Sequence, residues 1–508
     1  MAKSENRNFI YRYDILRDAS IYTTGVYFIQ IIVFGLGLFT KKFLGPTNLG
    51  IWNIFIIIIS YLSYVDLGIS DASAREIPYW ISRKNSERSK KFTDLMYTYN
   101  LISGIILGIG AIVYALIFIN RITSKEYFIG LLILGFLFPM TRWIACSTIH
   151  FRSLKQFVLL SKTTVIVMVI YGILSLLFAW RYELYGLYAA YFIQIVINTL
   201  LWKQLNSWKP FYRFYFSTVY FRYLLKIGFP IALAGFTFTV FRTIDSVITY
   251  RYLGETSFGI YSIGVSLTTF IFTLPNSLSI IMYPRFQERF GESKDNIESL
   301  IPFIIKPTIV LASFVLPLII GMAYIIGPFL IRIILPEFIT GIPSLKILLL
   351  GIYFLSLTHM AGQFMITINR QILSVLITVL ATIFTYILLI ITLQYGFSLV
   401  GVAWSTSFGY LLFTIVLFVY VFNLVKQQKI LWQLTKQIGL IVCAMFITLY
   451  TADLFFDNSI GNWSQDLART SFKLLTYLAI YIILIFYMNK KTKVGSEIWE
   501  VIKSKICK

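Results

Sequence analysis

The chain has 508 residues, of which 58% are hydrophobic and only 13% charged, with a mean hydropathy of +0.78. A soluble protein carries about twice that charged fraction, so the composition excludes a string of soluble domains and defines an all-α polytopic membrane protein. The net charge of +22, from 44 Lys+Arg against 22 Asp+Glu, would suggest nucleic acid in a soluble chain. Here basic loops beside anionic headgroups account for it, and the expected partners are membrane lipids, with no nucleic acid.

The N-terminal segment carries Lys3, Arg7, Arg12 and Arg17 before the first apolar run. That run spans about 20 residues with no small-residue cleavage site after it, so it reads as a retained first helix. Fourteen spans follow from apolar runs: 21–41, 50–68, 96–119, 127–148, 157–179, 185–202, 228–250, 258–283, 303–325, 344–366, 373–394, 399–422, 437–453 and 470–488. With the N-terminus inside, the inner segments hold 30 Lys and Arg and the outer loops eight, among them Lys41 and Lys42. This bias places both termini in the cytoplasm.

The connecting segments are short. The inner ones at 69–95 and 203–227 are the largest, and both are too small for a catalytic domain. The second contains WKPFYRFYFSTVYFRYLLK, rich in aromatic and basic residues and free of acids. It fits either an amphipathic helix lying in the inner interface or a loop whose rings join the aromatic belt. The cysteines, Cys146, Cys443 and Cys507, are scattered and suggest neither a disulfide nor a metal site, and no cofactor is expected.

FLGPTNLGIWNI at 43–54 matches YLGETSFGIYSI at 252–263 at an offset of 209. Lys155-Gln156 matches Arg370-Gln371, Tyr171 matches Tyr386 and Gly186 matches Gly401, all at an offset of 215. Several matches in one order indicate two six-helix bundles, 1–203 and 228–422, as parallel repeats. Residues 204–227 link them, and 423–508 add two helices and a basic tail. The stretch 228–250 opens the second bundle and carries Arg242 and Asp245 well inside an apolar run. At i, i+3 they share a helix face with Thr239, Ser246 and Thr249, and such a face belongs in a protein interior or a wet cavity.

The sequence FLGPTNLGIWNI–YLSYVDLGISDASAREIP, followed by LLKIGFPIALAGF–RTIDSVITYRYLGETSFGIYSI–LPNSLSIIMYPRF, resembles the bacterial polysaccharide (O-antigen or capsule repeat-unit) flippases. These share a superfamily with the multidrug and toxic-compound exporters and the lipid II flippases. The resemblance covers roughly residues 15–425. It implies two bundles around a central cavity in the bacterial cytoplasmic (inner) membrane. It also implies that an undecaprenyl-pyrophosphate-linked oligosaccharide moves from the cytoplasmic to the outer leaflet, with a polysaccharide polymerase as a further partner. Lipid II flippases carry arginine in the first helix, whereas 21–40 here contain no charge, which favours a capsule or O-antigen type substrate.

A lipid pyrophosphate needs a cationic, wet path. Six basic residues fall in or at the rim of the spans: Arg142, Lys162, Arg242, Lys306, Lys346 and Lys473. The last three lie near span ends and are expected to snorkel to the interface. Lys162 sits a turn further in and is a candidate substrate contact. Arg142 and Arg242 lie about 10 and 12 Å from the nearer span end, and the guanidinium fork suits phosphate. Arg242 either takes that role or pairs with Asp245. Arg142 has no acid in its own helix, and Pro139 one turn earlier opens a kink beside it. Asp66 and Asp71, near a span end, are expected to face water or cap a turn. Asp245 and His359 are the candidates for H+ or Na+ coupling. No Walker motif, nucleophile elbow or metal pattern points to an enzyme. The alternative of the same architecture is an ion-coupled multidrug exporter.

Overall fold

A computed structural model describes residues 32, 34–118, 125–154, 156–205, 213–294, 296–455 and 463–492, all helical or in turns between helices. Most of the first expected span, residues 206–212, Cys507 and the basic tail lie outside the described residues. Ten helices among those described are long and apolar enough to cross a membrane.

Three of those ten are interrupted by left-handed backbone. The first helix, α1 (Phe34–Asp66), has Gly45 at φ 68°. The 49 residues of α5 (Phe157–Leu205) break at Glu183 (φ 49°), and the 75 residues of α6 (Thr218–Glu292) break at Gly254 (φ 82°). An unbroken 75-residue helix would run about 110 Å, several times the ~30 Å apolar thickness of a bilayer, so the break at Gly254 is where that helix changes course. Glycine reaches this region without a Cβ clash.

The chain forms two compact units, residues 1–243 with 254–259, and residues 244–253 with 260–508. In the first unit, α1 ends in a 3₁₀ turn, Ser63–Asp66, after which Leu67 (φ 51°) and Gly68 (φ 79°) redirect the chain into α2 (Ile69–Ser82). Where the sequence suggested a loop at 69–95, an amphipathic helix buries Ile69, Ala72 and Ile77 and leaves Arg75 and Tyr79 exposed. Its apolar face packs with Phe92, Leu95 and Leu224. Asn85 then caps α3 (Ser86–Ile117) by accepting the Arg88 N–H at 3.0 Å. The aromatic stretch before the seventh expected span is no separate helix in its described part. Residues 213–217 are irregular, 218–227 are the first turns of α6, and Tyr215, Tyr220 and Phe221 lie against the α2–α3 core.

Helices α3 and α4 (Lys125–Ser153) approach backbone to backbone. A Cβ on Gly108 would lie 2.3 Å from the Gly135 carbonyl oxygen, and one on Gly104 would lie 3.1 Å from the Pro139 Cα. Small residues let membrane helices approach this closely, and the closeness lets a side chain of α4 bridge to α3. The two matched segments also meet within this unit. Thr47 and Thr256, 209 residues apart, share a 2.8 Å hydroxyl hydrogen bond. A Cβ on Gly50 would strike the Glu255 carbonyl, and one on Gly259 that of Pro46.

The second unit contains α7 (Ile301–Val310), a π turn at Leu311–Val315, and α8 (Leu316–Ile334). Next come α9 (Ile342–Leu357), α10 (His359–Thr367), α11 (Gln371–Gln394) and α12 (Ser398–Leu424). The C-terminal pair is α13 (Gln428–Phe455) and α14 (Trp463–Thr492). Pro317 has no N–H to give the Ser313 carbonyl, and the π turn loosens the helix there. Tyr481 supplies the missing donor, reaching the Phe314 carbonyl at 2.5 Å and that of Ser313 at 3.3 Å, while Tyr477 donates to the Pro317 carbonyl at 2.6 Å. The two rings stack with centroids 6.0 Å apart, so α14 docks on the irregular part of its neighbour.

Candidate functional site

Arg142 is 5% exposed, and its guanidinium is taken up inside the first unit. Nε and Nη2 donate to the Asn100 Oδ1 at 3.0 and 2.7 Å, and Nη1 donates to the Ser63 carbonyl at 2.8 Å. Nη2 also pairs with the Asp66 carboxylate at 3.3 Å. The Asn100 amide donates in turn to the Ser70 hydroxyl and the Met96 carbonyl. The close α3–α4 packing, the irregular end of α1 and the start of α2 are thus fastened by one cation. Sequence reasoning sought a partner for Arg142 only in its own helix. The partner is Asp66, 76 positions earlier, which is buried (6% exposed) and also accepts the Gly68 N–H.

Asp71, on the first turn of α2, is exposed by area yet hemmed in by the surrounding helices. Desolvation and the neighbouring Asp66 push its carboxyl up to about 6, while Arg152 and Arg142 pull the other way. Glu76, one turn further on, is buried and accepts from the Trp80 indole and the Tyr223 hydroxyl, each at 3.1 Å.

On α6 the face expected to be continuous is divided between the units. Thr239 pairs with the Tyr64 hydroxyl of α1 at 2.8 Å, and Thr243 with that of Tyr61 at 2.6 Å, both within the first unit. Arg242 is half-buried there. Asp245 belongs to the second unit and is 2% exposed. Its carboxylate accepts from the Ser246 N–H (2.6 Å) and hydroxyl (3.2 Å), from Tyr261 (2.7 Å), and from Thr406 of α12 (3.2 Å). Four donors, none of them a cation, thus surround this buried carboxyl group. His359 begins α10 and lies against the Phe272 ring, 4.5 Å between centroids. Lys162, near the start of α5, is exposed. The structure therefore brings Arg142 together with Asp66 and Asn100, and Asp245 with Tyr261 and Thr406, in separate units.

A third cluster escaped sequence reasoning. Lys346 and Lys473 do not snorkel outward but converge on Asp453 of α13, at 2.5 and 3.2 Å, and Tyr324 donates to the same carboxylate at 3.0 Å. Two ammonium groups and a phenol thus share one half-buried carboxylate. The signal available in the sequence was an acid at the end of the thirteenth span, level with lysines opening the tenth and fourteenth. Among the described residues, no group of three or more His, Cys, Asp or Glu could hold a metal ion. Cys146 is buried and Cys443 exposed, both as free thiols.

Long apolar helices, several of them broken by left-handed backbone, define a multi-pass membrane protein. The chain belongs to the polysaccharide biosynthesis protein family, whose model matches residues 41–342. Its fold is similar to that of several solved membrane transporters. An inward-facing multidrug resistance MATE family transporter superposes with a TM-score of 0.65 at 14% identity, over 78% of this chain and 94% of the other. The lipid II flippase MurJ, in an inward closed conformation, also gives 0.65, at 17% identity, over 93% and 99%. A MOP superfamily transporter from Pyrococcus furiosus, described as having a binding pocket of reverse polarity, gives 0.61 at 15% identity, over 82% and 96%. No curated protein sequence matches the chain.

Proposed function

We propose that the protein is a flippase carrying undecaprenyl-pyrophosphate-linked oligosaccharide repeat units from the cytoplasmic to the outer leaflet by alternating access. The observation that carries this reading is membership of the polysaccharide biosynthesis family, in a chain with six Lys or Arg in or at the rim of its apolar spans. On this reading the membrane is crossed fourteen times, both termini are cytoplasmic, and the two bundles are parallel repeats. The breaks at Gly45, Glu183 and Gly254 support the larger count, because each divides a helix with length enough for two passes or for the joint between them.

Arg142, Arg242 and Lys162 supply positive charge to the pyrophosphate. Arg142 has one of its five N–H groups left over in the described arrangement. Pyrophosphate therefore reaches it by displacing Asp66, a carboxylate giving way to a more highly charged oxyanion. Asp245 and His359 are the ion-coupling groups. The hydroxyls of Tyr261, Thr406 and Ser246 around Asp245 turn their oxygens inward when a cation or proton arrives, since a hydroxyl both donates and accepts.

The same fold also serves multidrug exporters, which would want buried acids to attract cationic drugs. The discriminating experiment is equilibrium binding to the purified protein. An anionic polyprenyl pyrophosphate should bind and a cationic dye should not. The reverse preference would replace the flippase reading with the exporter.

A further inference from the structure

Within the first unit, beside the Gly45 break, a recess of about 120 Å³ is walled by α1 and both limbs of α5. Lys41, Trp52, Asn53, Tyr171 and Ser175 line it. None of the path residues discussed above contributes. Its size compares with an apolar cavity of roughly 150 Å³ that accommodates benzene, so a single small functional group fits.

The recess is unusual in its hydrogen-bonding balance. Among the described residues the Lys41 ammonium has no ion-pair or hydrogen-bond partner, the Tyr171 hydroxyl has none, and Asn53 Nδ2 is buried with nothing to donate to. Two hydroxyls at the wall spend their protons on their own helices, Thr40 on the Leu36 carbonyl and Ser175 on that of Gly172, and in the described arrangement neither accepts from Lys41, Tyr171 or Asn53. Lys42, next in sequence, is exposed, whereas Lys41 is turned in against the fold. A lysine that only snorkelled would follow its neighbour to water. Leaving the buried Asn53 amide donor unmatched is costly, and one occupant that accepts hydrogen bonds satisfies it together with the half-buried Lys41 and Tyr171.

We propose that this recess binds an oxyanion, with Lys41 as the charge partner and Tyr171 and Asn53 as neutral donors. The oxyanion is a phosphate of a lipid pyrophosphate or the carboxylate of an acidic sugar. The site itself follows from the geometry alone, and only the choice between these two sources rests on the flippase reading.

The test uses the wild-type chain in nanodiscs of neutral phosphatidylcholine. Amines are acylated with a water-soluble ester, and modification of Lys41 and Lys42 is followed by mass spectrometry with inorganic pyrophosphate, glucuronate or glucose present. The expected result is that an oxyanion slows Lys41 labelling about tenfold, the worth of one charge-assisted hydrogen bond, while Lys42 is unchanged and glucose is inert. Protection by pyrophosphate alone assigns the lipid phosphate, and protection by glucuronate alone assigns an acidic sugar. Equal protection by both supports a general oxyanion site. Lys41→Arg should retain the anion affinity measured by calorimetry, and Lys41→Gln should lose about tenfold of it. Lys41 labelling that no anion slows, or that glucose slows equally, overturns the proposal. If the wild-type chain flips lipid-linked oligosaccharide yet shows no protection, only this site falls. Protection in a chain that flips nothing keeps the site and sinks the transport reading.

Discussion

Arg142→Met is the most informative single change, because the side chain is either a brace or a substrate contact. Methionine keeps much of the volume and removes three hydrogen bonds and the ion pair to Asp66. Asp66 is then a buried carboxylate with only the Gly68 N–H, and the Asn100 Oδ1 loses both its donors. Breaking a buried pair from one side costs about 3–5 kcal/mol, a large share of the ~5–15 kcal/mol that holds a typical domain folded. Asp66→Asn should cost less, since the guanidinium keeps Asn100 and Ser63. The double variant should recover about 1–3 kcal/mol relative to the sum of the single changes. Cys146, one turn beyond Arg142 and 0% exposed, provides the assay. In a Cys443→Ser, Cys507→Ser background, a fluorogenic maleimide reports when heating exposes that thiol. Unfolding of Arg142→Met at the wild-type temperature would refute the bracing role and return Arg142 to the substrate path alone.

Three further outcomes are expected. Lys42→Cys and Tyr395→Cys should react with an impermeant thiol reagent added outside cells, and Lys90→Cys and Lys426→Cys should not; the opposite pattern would invert the proposed topology. In transport at matched expression, Arg242→Ala with Asp245→Ala should be as inactive as Arg242→Ala alone, and recovery in the double variant would make Arg242 part of the scaffold. The Asp71 carboxyl pKa of about 6 lies above the unfolded value of about 3.9. The folded state therefore binds this proton more tightly, and stability is lost as pH rises from about 4 through about 6. Asp71→Asn should match wild type in melting temperature at pH 4 and exceed it at pH 7, and a constant difference across that range would contradict the assignment.

Membrane class was legible from composition, because apolar runs are set by bilayer thickness and survive any rearrangement of packing. The matched segments at 43–54 and 252–263 were legible too, and two of their glycines, Gly45 and Gly254, share left-handed backbone. Helix α2 was read as a loop because its apolar face is short and shares its sequence with several charges. The site was harder to read for one physical reason. Arg142 and Asp66, like Lys346 and Asp453, are brought together by helix packing, and hydropathy along one helix carries no trace of a partner on another. An acid near a span end looks solvated until the backbone beyond it, here Leu67 and Gly68, turns the chain back over it.

The measurement that bears most directly on the central claim is translocation in proteoliposomes. A polyprenyl-pyrophosphate-linked oligosaccharide is loaded in one leaflet, and an impermeant glycosidase scores its arrival in the other. Wild-type protein should move the lipid across, and Arg242→Ala, purified in the same folded amount, should not. No transfer by the wild type beyond protein-free vesicles, together with uptake of a cationic dye, would contradict the account.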